Sequence, residues 1–513
     1  MQTNLGNLLR QRAQLSPQIE ALVEAESGRR FHYAELNERC NRTANALQDS
    51  GVRPGERVGC LLMNSVEYIE TFFATAKLGA VSVPMNWRLT PEELDFIAKD
   101  AGITALVYDA EFDAAVAALH ERALDVRHWI RVGDAVAKPD WALSYTALTI
   151  PASTNEPALA GGNEDPLYIM YTSGTTGFPK GAVHTHKSAL AVTIALAFSA
   201  DLRYRDRYLQ ILPLFHVGGL TPAITHLLRG ATLVMPRSFN PQLIFSTLER
   251  ESITTTGAVP AMLEFMWAVL ERSQYNLSAL RWIACGAAPV PVSLIEKYAA
   301  AGIEIQQVYG LTECGGFACM ISPELALVKA GSTGPALLHT EVRIADEMGR
   351  DAAPGEVGEI LVRGEHLMKE YWNQPRASAE TLRGGWLYTG DLATWDAAGF
   401  VYVQDRKKDM IISGGENIYP AEIEKILAGH PKLQDVAVIG TPSPKWGESP
   451  LAVVVVKESQ QVTAEEVIAF CRGKLANYKI PKIVEFAAAI PRNSTGKILK
   501  NQLRKRFPGP APE

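Results

Sequence analysis

Residues 171–181 read Tyr-Thr-Ser-Gly-Thr-Thr-Gly-Phe-Pro-Lys-Gly. Hydroxyls at Thr172, Ser173, Thr175 and Thr176, glycines at Gly174, Gly177 and Gly181, and the cation of Lys180 make a loop whose backbone can come close to a ligand and whose side chains donate. That chemistry suits a polyphosphate. A Walker A loop counted from Gly174 would need Gly at 179 and Ser or Thr at 181. The chain has Pro179, which offers a phosphate no N–H, and Gly181, which offers a metal no hydroxyl.

Other segments fit the same ligand. Gln306-Gln-Val-Tyr-Gly-Leu-Thr-Glu313 ends an apolar strand with an aromatic ring, a glycine, a hydroxyl and an acid. A carboxylate there could ligate Mg²⁺, which takes one or two protein carboxylates together with phosphate oxygens. Gly286-Ala287-Ala288-Pro289 follows the strand 282–285 as a turn of small side chains, open to a flat base or an acyl chain. Tyr388-Thr-Gly-Asp-Leu392 and Asp405-Arg406 supply an acid and a base, and a ribose diol suits a carboxylate that accepts two hydroxyl donors. Pro491-Arg-Asn-Ser-Thr-Gly-Lys-Ile-Leu-Lys500 presents Lys497 on a glycine-containing turn. A mobile cation there could neutralise the charge that builds on a carboxylate and a phosphoryl group in transfer. Read singly, these are a strand-end cap, a generic turn, a structural ion pair and an exposed lysine. Their company with the 171–181 loop points to ATP.

In the wording T-S-G-T-T-G-x-P-K-G the loop resembles the phosphate loop of the adenylate-forming superfamily of acyl-CoA synthetases, luciferases and nonribosomal adenylation domains. The similarity runs from about Asn4 to about Arg506 and looks nearest to bacterial fatty-acyl-CoA synthetases. The resemblance implies that Thr172, Ser173, Gly174, Thr175, Thr176, Gly177 and Lys180 handle the β- and γ-phosphates of ATP, with pyrophosphate leaving. It implies Glu313 as the Mg²⁺ residue and Tyr309 stacked on adenine, with Gly310 beside the nucleotide and Thr312 at the α-phosphate. Adenine then lies against Gly286, Ala287 and Ala288, and Asp391 holds the ribose with Arg406 assisting. Lys497 is the catalytic lysine, with Thr172 and Glu313 completing the catalytic set, and Lys408 is the pivot of a swinging C-terminal domain. Gly414 and Gly415 line the pantetheine tunnel of CoA, while Arg88, Trp446, Tyr478 and Lys482 meet its nucleotide end. Ile480 stands where some relatives of that family carry a base, which weakens the last assignment.

Leu212-Pro-Leu-Phe-His-Val-Gly-Gly219 bears on the substrate. Amino-acid-activating members tend to have an aspartate after the phenylalanine, to hold the substrate ammonium; this chain has His216, and a buried unpaired ammonium is costly. By resemblance His216, Val217, Gly218, Ala284 and Gly310 form the acyl pocket, and Gly219, Gly315 and Gly316 leave room for an apolar group. The expected reaction has two steps: a carboxylate and Mg-ATP give acyl-AMP and pyrophosphate, then the CoA thiol displaces AMP. A medium- or long-chain fatty acid is the expected substrate. The alternatives are an aryl-CoA ligase for a cinnamate-, ferulate- or benzoate-like acid, and an enzyme delivering the acyl group to a carrier protein. Outside the superfamily, a nucleotide sensor would not need Lys497, and a hydrolytic NTPase would release ADP and phosphate.

The remaining features constrain the class. At 513 residues the chain exceeds a single core, so two or more domains are expected. A net charge of −6 argues against a nucleic-acid partner. The start, Met-Gln-Thr-Asn-Leu-Gly-Asn, has no basic or apolar signal region, and the longest apolar run, Ala189–Phe198, is well short of the ~18 residues of a spanning helix. A cytoplasmic location is expected; peripheral membrane contact and a homodimer are left open. Six cysteines in no metal or C-x-x-C spacing read as free thiols.

From Ala21 to about Ile360 apolar strand-like runs alternate with helical ones, which indicates βαβ units and parallel sheet. The strand 167–171 leads straight into the phosphate loop. After the charged, exposed run Asp405-Arg-Lys-Lys-Asp409 comes a compact α+β pattern: a strand 410–413, a helix 420–430, strands 436–440 and 451–456 and a helix 464–475. The expected architecture is therefore α/β, with an N-terminal domain 1–407 of mixed and parallel sheets and a small α+β domain 408–513, which the resemblance implies is mobile.

Overall fold

The computed structural model describes residues 3–122, 125–133, 138–172, 179–272, 274–413, 416–443, 446–492 and 496–508. Its fold is mixed α/β. Two large sheets, each with eight described strands, dominate the N-terminal part. In the first, Glu304–Tyr309, Trp282–Cys285, Thr255–Ala258, Arg207–Leu209, Thr232–Met235 and Glu20–Glu24 run parallel in that spatial order. In the second, Pro166–Thr172 joins the parallel strands Val81–Pro84, Arg57–Leu61, Ile103–Asp109 and His128–Val132, then turns back antiparallel as Lys180–Thr185. The strand does feed the phosphate loop, but the loop is a hairpin connection and no helix follows it directly.

The helix Val66–Leu78 explains how the interior is filled. Every residue but Glu67 is buried, as expected of a helix that is apolar all round. Ser65 caps its start by accepting from the Tyr68 N–H, and Gly79 ends it at φ +66, a left-handed position that favours glycine. Its two buried charges are both paired: Glu70 accepts from Arg39 and from Tyr145, and Lys77 lies 2.7 Å from Glu156. Glu156 belongs to the segment that leads into the phosphate-loop strand, so this ion pair fastens that segment to the core.

A third, antiparallel sheet joins Glu341–Ala345, Gly358–Arg363, Trp386–Trp395 and Leu382–Arg383, with Val401–Arg406 on Trp386–Trp395. The βαβ alternation expected to about residue 360 therefore stops before Glu341. The loop 346–357 carries no helix, and a parallel return needs a crossover of a dozen residues or more, usually helical. The fourth sheet lies wholly within residues 411–486, with Ile411–Ser413, Glu416–Ile418, Leu433–Ser443, Gly447–Val456 and Ile483–Phe486.

Two helices of this last part are shorter than the sequence suggests. Pro420–Ala428 stops ahead of His430, which precedes Pro431, and a residue before proline is disfavoured in helical conformation. Ala464–Cys471 stops short of Leu475 because Arg472 is extended (φ −64, ψ 138) and Gly473 takes φ +72. The run 405–409 is not simply solvated either. Lys407 and Lys408 are exposed, but Asp409 is buried against Arg504 at 2.9 Å. The six cysteines are free and buried. Among the described residues no helix is long and apolar enough to cross a membrane.

Candidate active site

Trp282–Cys285 and Glu304–Tyr309 lead at their carboxyl ends into Gly286 and Gly310, and Thr172 ends the first strand of the hairpin; the carboxyl ends of parallel strands are the usual position for a ligand site in an open α/β sheet. On the hairpin, Thr172 pairs in register with Lys180 and its hydroxyl donates to the Lys180 carbonyl at 3.4 Å. Ser173, Gly174, Thr175, Thr176 and Gly177 lie outside the described residues. Gly181 has a packing reason to be glycine: a Cβ there would stand 2.6 Å from Ile169 Cγ2 and 3.1 Å from the Tyr171 ring.

Glu313 sits on the short 3₁₀ turn Thr312–Cys314, which Gly310 allows the chain to reach. A Cβ on Gly310 would fall 2.2 Å from the Gly316 carbonyl oxygen, so only glycine permits this return. His184, from the hairpin's second strand, holds the turn from below, its Nε2 2.7 Å from the Thr312 carbonyl oxygen. A carbonyl only accepts, so Nε2 carries the proton. Burial pushes the His184 pKa down to about 4, so the ring is neutral.

Tyr371 ties the two halves together. Its hydroxyl donates to Glu313 Oε1 at 2.6 Å, and the Lys180 ammonium lies 5.2 Å from its ring centroid, within cation–π range. No group of three or more His, Cys, Asp or Glu is gathered for a metal among the described residues. Mg²⁺ held here would rest on Glu313 and on phosphate oxygens, a donor set that suits this ion. A hydrogen bond to a charged group contributes about 1.5–3 kcal/mol. Tyr371→Phe, which keeps the ring for Lys180, is thus expected to lower kcat/KM for Mg-ATP about tenfold and to raise the Mg²⁺ concentration needed. A titration of adenylation rate against Mg²⁺ checks this; an unchanged curve removes Tyr371 from the site.

A second cluster forms around Asp391, which is buried. Tyr309 donates its hydroxyl to Asp391 Oδ2 at 2.8 Å. Arg406, paired with Asp391 across the sheet, brings Nε to 3.1 Å from Oδ1, an ion pair without hydrogen-bond alignment. Lys497 enters the same electrostatic neighbourhood: burial, then the charge of Arg406, lowers its pKa to about 8, against the opposing pull of Asp391. Gly496, next to it, is 3.9 Å from Val259 Cγ2 at its Cβ position, which places this C-terminal turn against the N-terminal part. The small turn after Trp282–Cys285 is tight. A Cβ on Gly286 would meet Val308 at 2.6 Å, and Ala287 takes φ +67, a strained value for a residue with a side chain.

On the acyl side, His216 immediately precedes the helix Val217–Arg229, and burial followed by the charge of Arg88 lowers its pKa to about 3. Val217 packs against Gly316, where a Cβ would lie 3.1 Å from its methyls. Gly218 looks onto Leu212, and Gly219 leaves no room for a Cβ, which would stand 2.2 Å from the Pro213 oxygen.

The four described CoA candidates fall into two groups. Arg88 stacks on Trp87 (4.5 Å) and Phe215 (5.9 Å), beside His216. Trp446, Tyr478 and Lys482 are exposed at one end of the fourth sheet, where Gly447 and Ile483 begin adjacent strands. Gly414 and Gly415 lie outside the described residues, but their neighbour Ser413 pairs with Gly447. Tyr371 and His184 carried no motif in the sequence.

The AMP-binding enzyme family profile matches residues 9–372, and that of the AMP-binding enzyme C-terminal domain matches 422–497. The long-chain-fatty-acid–CoA ligase FadD13 of Mycobacterium tuberculosis is 43% identical over 514 residues, covering 99% of this chain and 100% of that protein. A feruloyl-CoA synthase from an Amycolatopsis species is 40% identical over 505 residues, covering 98% and 99%. The solved structure of o-succinylbenzoate coenzyme A synthetase from Bacillus subtilis, in complex with ATP and a magnesium ion, is similar with a TM-score of 0.87 and 33% identity, covering 97% of this chain and 99% of that one. With the phosphate hairpin, the Asp391 cluster and these likenesses in agreement over nearly its whole length, the chain belongs to the AMP-binding enzyme family, among the acyl-CoA synthetases of the adenylate-forming superfamily.

Proposed function

We propose that this site joins a carboxylic acid of apolar body to CoA through an acyl-adenylate. The observation that carries the reading is the cluster of Tyr309, Asp391 and Arg406, with Lys497 within the field of the last two and its neighbour Gly496 set against Val259. In the first step a carboxylate oxygen attacks the α-phosphorus of ATP, the bond to the bridging oxygen breaks, and pyrophosphate leaves. Asp391 accepts the ribose hydroxyls, Thr172 and Lys180 meet the phosphates, and Lys497 offsets the charge on the reacting oxygens. Mg²⁺ bound through Glu313 would neutralise part of the phosphate charge. In the second step the CoA sulfur attacks the acyl carbon, AMP leaves with the electron pair of the C–O bond, and the thiol proton goes to solvent. The hinge at Lys408, the division at 407 and 408, and the CoA positions Arg88, Gly414, Gly415, Trp446, Tyr478 and Lys482 belong to this proposal.

A medium- or long-chain fatty acid is the first reading of the substrate, supported by the small and apolar residues Val217, Gly218, Ala284 and Gly316. The feruloyl-CoA synthase likeness favours an aryl acid as the second. Steady-state kinetics with straight-chain acids, cinnamate, ferulate and benzoate separates them, with AMP, pyrophosphate and thioester all measured. Each buried methylene contributes about 0.8 kcal/mol, so kcat/KM is expected to climb severalfold per CH₂ until the pocket is filled. Aromatic acids outrunning every fatty acid would replace the first reading by the second, and AMP release without thioester would point to a carrier-protein acceptor.

A further inference from the structure

Gln306 takes part in none of the steps above. It is wholly buried, and neither its side-chain oxygen nor its nitrogen has a hydrogen-bond partner among the described residues. A buried polar group left unpaired costs about 1–3 kcal/mol, and native proteins hold few of them.

Strand alternation fixes its direction. Ile305 packs with Ile283 and Cys285 on one face of the first sheet. Gln306 therefore stands on the other face, beside Ala284, its neighbour in register, and in line with Val308. Ala284 and Val308 pack there with Trp282 and Val192, and Val192 in turn lies 3.0 Å from the Cβ position of Gly315. Ala284 and Val308 keep partial exposure although they lie within strands, so this face is not sealed beside Ala284, a residue of the proposed acyl pocket. Trp282, two residues before Ala284 and 3% exposed, also has an indole Nε1–H without a partner. Gln306 lies three residues in from Tyr309, roughly 10 Å along the strand.

We propose that Gln306 and Trp282 form a polar subsite in the acyl pocket, which takes a hydroxyl or oxo oxygen borne on the otherwise apolar body of the acid. The inference rests on the acyl-CoA synthetase reading and makes the substrate an oxygenated acid. The amide can donate to such an oxygen or accept from a hydroxyl, and the indole can only donate. A ring hydroxyl on an aryl acid and a hydroxyl on an aliphatic chain share this chemistry.

The test compares matched acids: cinnamate with its para-hydroxy derivative, and octanoate with its terminal hydroxy derivative. Thioester formation is measured for the unaltered protein, Gln306→Leu and Gln306→Met. A site built to bond a hydroxyl rejects the analogue without it, so kcat/KM is expected to favour the hydroxy acid by about tenfold or more in at least one pair. The favoured pair identifies the source of the oxygen. Both variants should lose that preference, keep turnover of the plain acid, and melt no lower than the unaltered protein, because they remove an unpaired amide. A preference below about threefold in both pairs, or one that survives in either variant, overturns the subsite. Should neither variant fold, the ratios of the unaltered protein decide alone. Turnover without hydroxyl preference overturns only this inference, whereas no AMP release with any acid defeats the synthetase reading as well.

Discussion

Lys497→Ala is expected to slow acyl-AMP formation by about 10² or more, the scale on which losing one transition-state charge contact acts. Thioester formation from pre-made acyl-AMP should be nearly unchanged. The asymmetry follows from the proposed mechanism: Lys497 lies in the field of Asp391 and Arg406 on a turn carried by the C-terminal segment, so under that mechanism it would serve only the step performed while the turn is docked. The same burial gives a pH signature. The Lys497 pKa is lowered to about 8, and the cation is the active form, so kcat/KM for adenylation should hold below pH 8 and fall about tenfold per unit above it. Pyrophosphate release in a rapid-quench assay, with acyl-AMP to thioester conversion followed separately, checks both points. Equal loss in the two half-reactions would show that Lys497 is not confined to the first.

What the sequence reveals of this site is whatever falls within one contiguous stretch. Thr172 to Lys180, Tyr309 to Glu313 and the Tyr388–Leu392 run each put chemistry on a strand end or turn within a few residues, so order along the chain predicts proximity in space. Tyr371 is different: its bond to Glu313 spans 58 residues, and the His184 contact with Thr312 spans 128. Each depends on Lys180–Thr185 returning antiparallel and receiving Glu370–Tyr371 at its edge, a pairing no local periodicity encodes. Gln306 was visible as a residue but not as an orphan, since whether a buried amide finds a partner is settled by its neighbours across the sheet. The βαβ alternation was legible until the helices stopped, and the misplaced ends of the 420 and 464 helices came from Pro431 and Gly473, punctuation that weighs less in a sequence than apolar spacing does.

Lys408→Pro is expected to separate the two half-reactions in the opposite sense, sparing adenylation and stopping thioester formation. In the observed pose its backbone N–H makes no backbone hydrogen bond among the described residues; the turn is closed instead by Lys407 N–H to Gly390, and by Asp409 and Met410 N–H to Arg406. Proline removes no such bond here, but it holds φ near −65°. Few described contacts would have to give way for a rotation at this point. Ala421 N–H donates to Asp405 at 2.8 Å, Gly496 lies against Val259, and Lys497 is in the field of Asp391 and Arg406, whereas Asp409–Arg504 and Lys500–Glu424 would travel with the moving part. A segment joined through one turn and a small set of polar contacts is suited to hinge motion. With its φ fixed, the turn cannot supply the second pose in which the fourth sheet, with Trp446, Tyr478 and Lys482, would face the acyl-adenylate. Acyl-AMP should then accumulate on the variant in the presence of CoA, seen as a burst of pyrophosphate about equal to enzyme with little thioester following. Thioester production at the unaltered rate would move the pivot away from Lys408.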